Sequence, residues 1–369
     1  MKHSLVGSPA QHHLFSTLLG PIHWHLLEFA FEHQLFDQLH SRSTATDIAR
    51  QRSWCPERLA LLLNAYVALG VLTKQQGNNQ QPYYQIATGY PPYLLSGSKH
   101  YLGTTLCHLA KVKACSSARL TELIARSEHP VSDSTKQRLD ADTNAITHNK
   151  KSTEGETCNM RDGHFWQHAI TGLLAFHQST RNPILLPLLS QHPDWRDGLC
   201  ILDVGAGSLQ LAENILVNHP NTQLTLFDLP ACCDHLRQQL VHSPHLNKSV
   251  TLRAGDMNHD DFGCPYHLIL ASMSLYFSAD LQQCINRLWQ SLAPGGLFVS
   301  FHEALDSSRT QPAFHILGRL PAELANGPLS LEQGQVEAAL TANDPISITS
   351  EQISTPFGDM TLIIAKKPD

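Results

Sequence analysis

The chain has 369 residues, 42% of them hydrophobic, and a formal charge of −6; that length suggests two domains with sizeable cores, and that balance argues against nucleic acid or an anionic membrane as a partner. Nine cysteines with no C-x-x-C pair, an odd number in a long chain, argue against a disulfide framework. The 23 histidines are scattered and hold no H-E-x-x-H motif, no stretch reaches the roughly 18 apolar residues that span a bilayer, and the start MKHSLVGSPAQHHLF lacks a signal peptide's apolar core, so no metal site is expected and the cytoplasm is the expected setting.

Residues 12 to 40 read as helices. LLEFAFEHQLFDQL puts Leu26, Leu27, Ala30, Phe31, Leu35 and Leu39 on helical spacing. Thr44 or Thr46 can cap the short helix TDIARQ. Pro56 opens PERLALLLNAYVALG and Gly70 closes it. VLTKQ and YYQIA then flank the polar tip GNNQQ as a hairpin. Helices followed by a two-stranded wing make a winged-helix pattern. A DNA reader needs an outward polar and basic face on its second helix. LALLLNAYVALGVL is apolar nearly all round, so this helix is expected to be buried, with a partner interface a better reading than DNA. The helix from Ile22 to Leu39 could supply the matching surface of a dimer.

Residues 96 to 126 look helical again. From 127 to 162 large apolar residues nearly vanish, which reads as a flexible insertion or linker. The expected domains are therefore 1–126, helical and winged-helix, and 163–369, with the insertion between. GHFWQHAITGLLAFHQST resumes a helical pattern before ILDVGAG, an apolar run ending in an acid and two glycines. An amphipathic stretch and a second run, TQLTLFDLP, complete a βαβ unit. The glycines let backbone approach a ligand closely, and Asp228, about 20 residues on, suits the hydroxyls of a ribose. VTLRAGDM, HLILASMSLYF and LFVSFHEAL read as further strands, with CCDHLRQQL and LQQCINRLWQSL as helices and Pro294-Gly295-Gly296 as a helix stop. ISITSEQIS and MTLIIAKK close the chain as a hairpin, giving a mostly parallel sheet with an antiparallel end.

In that order DVGAG, FDLP, AGDM, ASMSLY, LAPGG and FHEALD resemble the S-adenosylmethionine-dependent O-methyltransferases of the caffeate and acetylserotonin type, the bacterial branch most of all. The winged-helix start also resembles that family's dimerisation domain, so the resemblance covers nearly the whole chain outside the insertion. It implies an α/β protein: a Rossmann-like class I methyltransferase domain behind an N-terminal winged-helix dimerisation domain. It implies S-adenosyl-L-methionine as cofactor, a small-molecule acceptor and a homodimer. Carried over by position, Gly205 would lie against the methionine part of the cofactor with Asp203 just before it. Asp228 would bind the ribose, Asp256 the adenine amine, and Met257 the adenine ring; Ser272 falls where plant members carry a lysine. Asp256 could instead be a turn residue and Met257 core filling, the less favoured readings.

Two departures stand out. Leu209 replaces the third glycine, and Leu275-Tyr276 stands where the family carries a leucine-histidine pair with the general base. Tyrosine, with a reference pKa near 10, is a poor proton acceptor at neutral pH, whereas histidine is matched to the task. The preferred reading is O-methylation with Tyr276, His302 or Glu303 as base. A sulfur or nitrogen acceptor that needs no base, and a cofactor-binding protein without activity, are the alternatives. The acceptor pocket is expected between the helix His164 to His177, the loop Met273 to Phe277 and the segment Phe314 to Leu324, with Phe165, Trp166, Phe176 and Phe314 as candidate walls.

Overall fold

The computed structural model describes residues 8–77, 81–125, 172–263 and 265–369. The expected insertion, with Phe165 and Trp166, lies outside the described residues. The chain divides into two compact units, Met1–Cys107 and His108–Asp369, parted within the helix Gly103–Lys113 and so ahead of the boundary expected near 126.

The first unit opens with α1 (Pro9–Thr17), which Ser8 and Gln11 start with a reciprocal capping box, and α2 (Leu19–Glu32). Strand β1 (Ser43–Thr44) leads into α3 (Ala45–Arg52), where the Thr44 hydroxyl accepts from Asp47 N at 3.1 Å. Of the two threonines expected to cap this helix, Thr44 is the one. Helix α4 (Pro56–Ala68) runs to Gly70, whose φ of +84° lets the chain reverse into the antiparallel hairpin of β2 (Leu72–Gln76) and β3 (Pro82–Ile86). The three strands order as β1-β3-β2. Their core holds Phe31, Phe36, Leu63 and Tyr66, and the Tyr66 hydroxyl donates to the Leu26 carbonyl at 2.6 Å. Helix α4, expected to be covered partly by a partner, is covered on one face within its own unit. It buries only Leu59, Leu63 and Tyr66, while Leu61 is 71% exposed.

The second unit is built on a seven-stranded sheet. Its strands are β4 (Cys200–Val204), β5 (Gln223–Asp228), β6 (Val250–Ala254), β7 (Tyr266–Ser272), β8 (Leu292–His302), β9 (Ser347–Ile353) and β10 (Met360–Lys366). Their order is β6-β5-β4-β7-β8-β10-β9, parallel through β8, with β10 antiparallel to both neighbours. Both faces are buried, which is why the central strands read as unbroken apolar runs. Ile201, Leu268, Leu270 and Val299 pack on one side; Leu202, Val204, Ile269 and Phe298 pack on the other. Pro294-Gly295-Gly296 does more than stop a helix. Strand β8 has already begun at Leu292, and the tripeptide is an irregularity inside it, with Gly295 at φ +66° and the pairing with β7 jumping from Leu292 to Leu297.

Candidate active site

Strands β4 and β7 are neighbours, but the chain leaves them in opposite directions: β5 and β6 extend the sheet beyond β4, and β8 extends it beyond β7. The segments leaving their carboxyl ends therefore part and open a crevice. This cleft has a volume of about 490 Å³, within the range of small-ligand sites. Gly205 and Gly207 after β4, Asp228 ending β5, Gly255 to His259 after β6, and Ser272, Met273, Ser274, Tyr276 and Phe277 after β7 all line it, with Leu173, Phe176 and His177 opposite.

The turn after β4 leaves no easy room for a side chain at either glycine. Gly205 and Gly207 hold φ of +70° and +65°. A Cβ on Gly205 would stand 2.7 Å from Ser274 Cβ, and one on Gly207 would stand 3.2 Å from His177 Cε1. The turn is tied to β5 at two points. Gly205 N donates to the Phe227 carbonyl at 2.8 Å, and the Asp228 carboxylate accepts from Gly207 N and Leu229 N, each at 2.8 Å. Burial raises the Asp228 pKa, while these two N–H donors and the Cys232 thiol pull it back. Leu209, in the place of a third glycine, points into the core beneath, and the helix Gln210–Asn218 starts just after it.

The remaining walls have their own logic. Asp256 is both a turn residue and a cleft residue: its Oδ1 accepts from the backbone and side-chain nitrogens of Asn258, both at 2.8 Å. Met257 lines the cleft beside it while packing on the core. Met273 adopts φ +59°, rarely tolerated by a non-glycine residue, at the head of the loop that presents Ser274 and Tyr276. The Ser272 and Ser274 hydroxyls border the cleft, are buried, and have no hydrogen-bond partner among the described residues. Buried hydroxyls without partners are costly unless a ligand satisfies them. Two unsatisfied hydroxyls, a glycine cradle and a carboxylate at a strand end fit a polar nucleoside cofactor.

Three expected site residues do not line the cleft. His302 lies on β8 with its Nδ1 2.7 Å from Ser300 Oγ; the two alternate onto one buried strand face, so His302 is not placed as a base. Glu303 is fully buried and ion-paired with Arg319, so its charge is already committed. Asp203 is 1% exposed on β4, and neither of its oxygens has a hydrogen-bond partner among the described residues. Burial, opposed by the Arg181 guanidinium and assisted by Asp228, raises its pKa to about 6. The folded protein therefore keeps a proton that the unfolded chain, near 3.9, has lost, and stability falls as pH rises from 4 to 6. Asp203→Asn removes this slope, so wild type should lose about 3 kcal/mol relative to the variant across that window. Urea unfolding at pH 4, 5, 6 and 7 measures it; parallel curves would refute the buried-acid assignment.

Sequence reasoning missed Arg181, and it gave no individual role to His177, Ser274 or Arg319, which fall within the expected pocket segments. Arg181 is 1% exposed on the π-helical turn His177–Arg181. His177 Nδ1 lies 2.7 Å from Ser208 Oγ, and burial together with Arg181 holds its pKa well below the usual range. The only signal was a single arginine in each of two apolar stretches, TRNPILL and ILGRLP. Of the expected acceptor walls, Phe176 lines the cleft, whereas Phe314 is 45% exposed beneath the Lys113 ammonium.

Comparison with known proteins agrees with this geometry. Residues 202–298 match the family model of a methyltransferase domain. Over 176 residues the chain is 26% identical to the tetracenomycin polyketide synthesis 8-O-methyl transferase TcmO of Streptomyces glaucescens, a match spanning 47% of this chain and 51% of that one. It is 26% identical over 292 residues to the 3-hydroxy-5-methyl-1-naphthoate 3-O-methyltransferase of Streptomyces sahachiroi, covering 78% and 75% of the two chains. It is 23% identical over 345 residues to the N,N-dimethyltransferase OxyT of Streptomyces rimosus, covering 93% and 92%. Human N-acetylserotonin methyltransferase, solved with S-adenosylmethionine, shares the fold over 100% of both chains with a TM-score of 0.71 at 16% identity. The fold is that of solved methyltransferases. Residues 202–298 are thus a methyltransferase domain, and the chain is similar to O-methyltransferases, spanning about half the length of the first of these relatives. Among the described residues no helix is long and apolar enough to cross a membrane, and no three metal-ligating side chains gather.

Proposed function

We propose that this protein methylates a hydroxyl on a flat, small-molecule acceptor. The carrying observation is the cleft itself, in which the glycine turn and Asp228 share one cavity with the aromatic loop Met273 to Phe277. In this reading Gly205 cradles the methionine end of the cofactor, with Asp203 behind it. Asp228 takes the ribose hydroxyls, and Asp256 and Met257 take the adenine. Ser272 supplies a hydroxyl to the bound molecule. The cofactor brings an electrophilic methyl group on a sulfonium, and the protein supplies proximity and alignment. The relatives acting on naphthoate and polyketide hydroxyls favour an aromatic acceptor. OxyT, matched along nearly the whole chain, supports nitrogen as the second acceptor atom to test. Incubation with labelled cofactor and matched panels of polycyclic phenols, amines and thiols should give methyl ethers at least tenfold faster than the other products. A panel in which only amines turn over would overturn the oxygen assignment.

We also propose a homodimer formed through the first unit. Leu14, Phe15, Leu18 and Ile22 on α1 and α2 are 67%, 71%, 70% and 52% exposed. A contiguous apolar face of this kind in water calls for a partner. Sedimentation should return twice the chain mass, and Leu18→Glu should shift it toward monomer; a monomeric wild type would sink the idea. Cytoplasmic placement suits cysteines that form no disulfide among the described residues.

A further inference from the structure

Tyr276 stands where a base is expected, and its surroundings prevent it from acting as one. Arg319, on the helix Ala313–Asn326, lies with Cζ 3.8 Å from the Tyr276 ring centroid, stacked on the phenol. A guanidinium only donates, so it cannot take the phenol's O–H hydrogen, which remains to be given elsewhere. Glu303 holds Arg319 in a buried ion pair. Arg181 adds a second positive charge toward Tyr276 from the π-helical turn. Lys113 faces the Arg319–Glu303 pair, and His315, also beside it, is engaged by the Asp359 carbonyl at 3.1 Å. His177 has Nδ1 committed to Ser208. Among the described residues, the charged groups acting on Tyr276 are thus two guanidiniums and one carboxylate, which Arg319 neutralises, with Lys113 beyond that pair. Burial also pushes the phenol pKa up rather than down.

We propose that Tyr276 donates a hydrogen bond to an acceptor oxygen that has already lost its proton to solvent, and that Arg319, clamped by Glu303, is the positioning residue that holds the hydroxyl in that role. This rests on the methyltransferase reading above and narrows its substrate class to hydroxyls that ionise readily, such as phenols or enols conjugated with a carbonyl. The acceptor oxyanion attacks the methyl carbon. The O–C bond forms as the C–S bond breaks, and its electron pair stays on sulfur as a neutral thioether. No protein group takes up a proton. The positive surroundings of Tyr276 favour the anion and disfavour a protonated amine.

The test uses 4-nitrophenol, whose ionised form absorbs separately, titrated against the full chain saturated with S-adenosylhomocysteine. Bound 4-nitrophenol should ionise about one pH unit lower than free, a tenfold shift in its equilibrium. Tyr276→Phe should remove most of that shift while the homocysteine product still binds by calorimetry. Arg319→Gln leaves Glu303 buried and unpaired and so endangers folding; the double variant Arg319→Gln with Glu303→Gln removes both charges and should also lose the shift. With phenols of graded acidity, the alkaline rise of kcat/KM should move with the acceptor's own pKa. A rise fixed at one pH for every phenol, an unshifted bound phenol, or no binding of 4-nitrophenol to the loaded protein overturns the proposal. Failure of S-adenosylhomocysteine itself to bind overturns instead the reading on which it rests.

Discussion

Replacing Gly205 with alanine abolishes measurable S-adenosylhomocysteine binding and lowers the melting temperature by several degrees. Two destabilising effects add. At φ +70° the position lies in the left-handed region, which costs a side-chain-bearing residue about 1–2 kcal/mol. The new methyl would also meet Ser274 Cβ at 2.7 Å, and overpacking of that kind costs about 1–3 kcal/mol more. For a unit of this size each kcal/mol moves the midpoint by about 2–4 °C. The loss of ligand binding is separate, because the methyl group fills the surface against which the methionine end is proposed to lie. Ser274→Gly in the same chain takes away the atom that is struck. The double variant should recover much of the lost melting temperature and none of the affinity, with Ser274→Gly alone as the reference. Near-normal calorimetric binding by the double variant would show that the turn is not the cradle.

The parts of this protein that were legible in its sequence are those where backbone geometry restricts residue choice. Only glycine suits φ +70° and +65° after β4, so the turn was visible. Thr44, Pro56 and Gly70 mark helix ends for equally local reasons. The parallel strands were visible because burial on both faces leaves unbroken apolar runs. That β10 inserts between β8 and β9 was not, because strand order depends on pairings between distant segments. Helix α4 shows a different limit. Leu61 is as apolar as Leu63, yet one is exposed and the other buried; hydrophobicity marks a face to be covered and does not say by what. The site shows the same limit in charge. The tyrosine in place of a histidine was plain, but its meaning depends on Arg319 and Arg181, which reach it from separate elements. Asp256 shows that a turn role and a cleft position are compatible in one side chain.

Asp228→Ala should weaken S-adenosylhomocysteine binding by at least about 100-fold, since hydrogen bonds from two ribose hydroxyls to a carboxylate contribute about 1.5–3 kcal/mol each. The same carboxylate holds Gly207 N and Leu229 N, so part of the loss comes through a loosened turn, and Asp228→Asn separates the two contributions. An amide oxygen can keep one of the backbone donors, but it carries no charge for the ribose. The asparagine variant should therefore fold close to wild type and still bind at least about tenfold more weakly. Acid pH distinguishes it further. A cofactor that prefers the ionised carboxylate loses affinity as pH falls through the Asp228 pKa, and burial has raised that pKa above its ordinary value. The wild-type binding curve should bend downward at a higher pH than an ordinary aspartate would allow, and the asparagine variant should show no bend. Asp203, with its pKa at about 6, is the other acid able to produce such a bend. Repeating the titration in Asp203→Asn decides between them: a bend that survives there and vanishes in Asp228→Asn belongs to the residue at the end of β5, and the reverse result would move the cofactor's electrostatic partner to the strand beneath the turn.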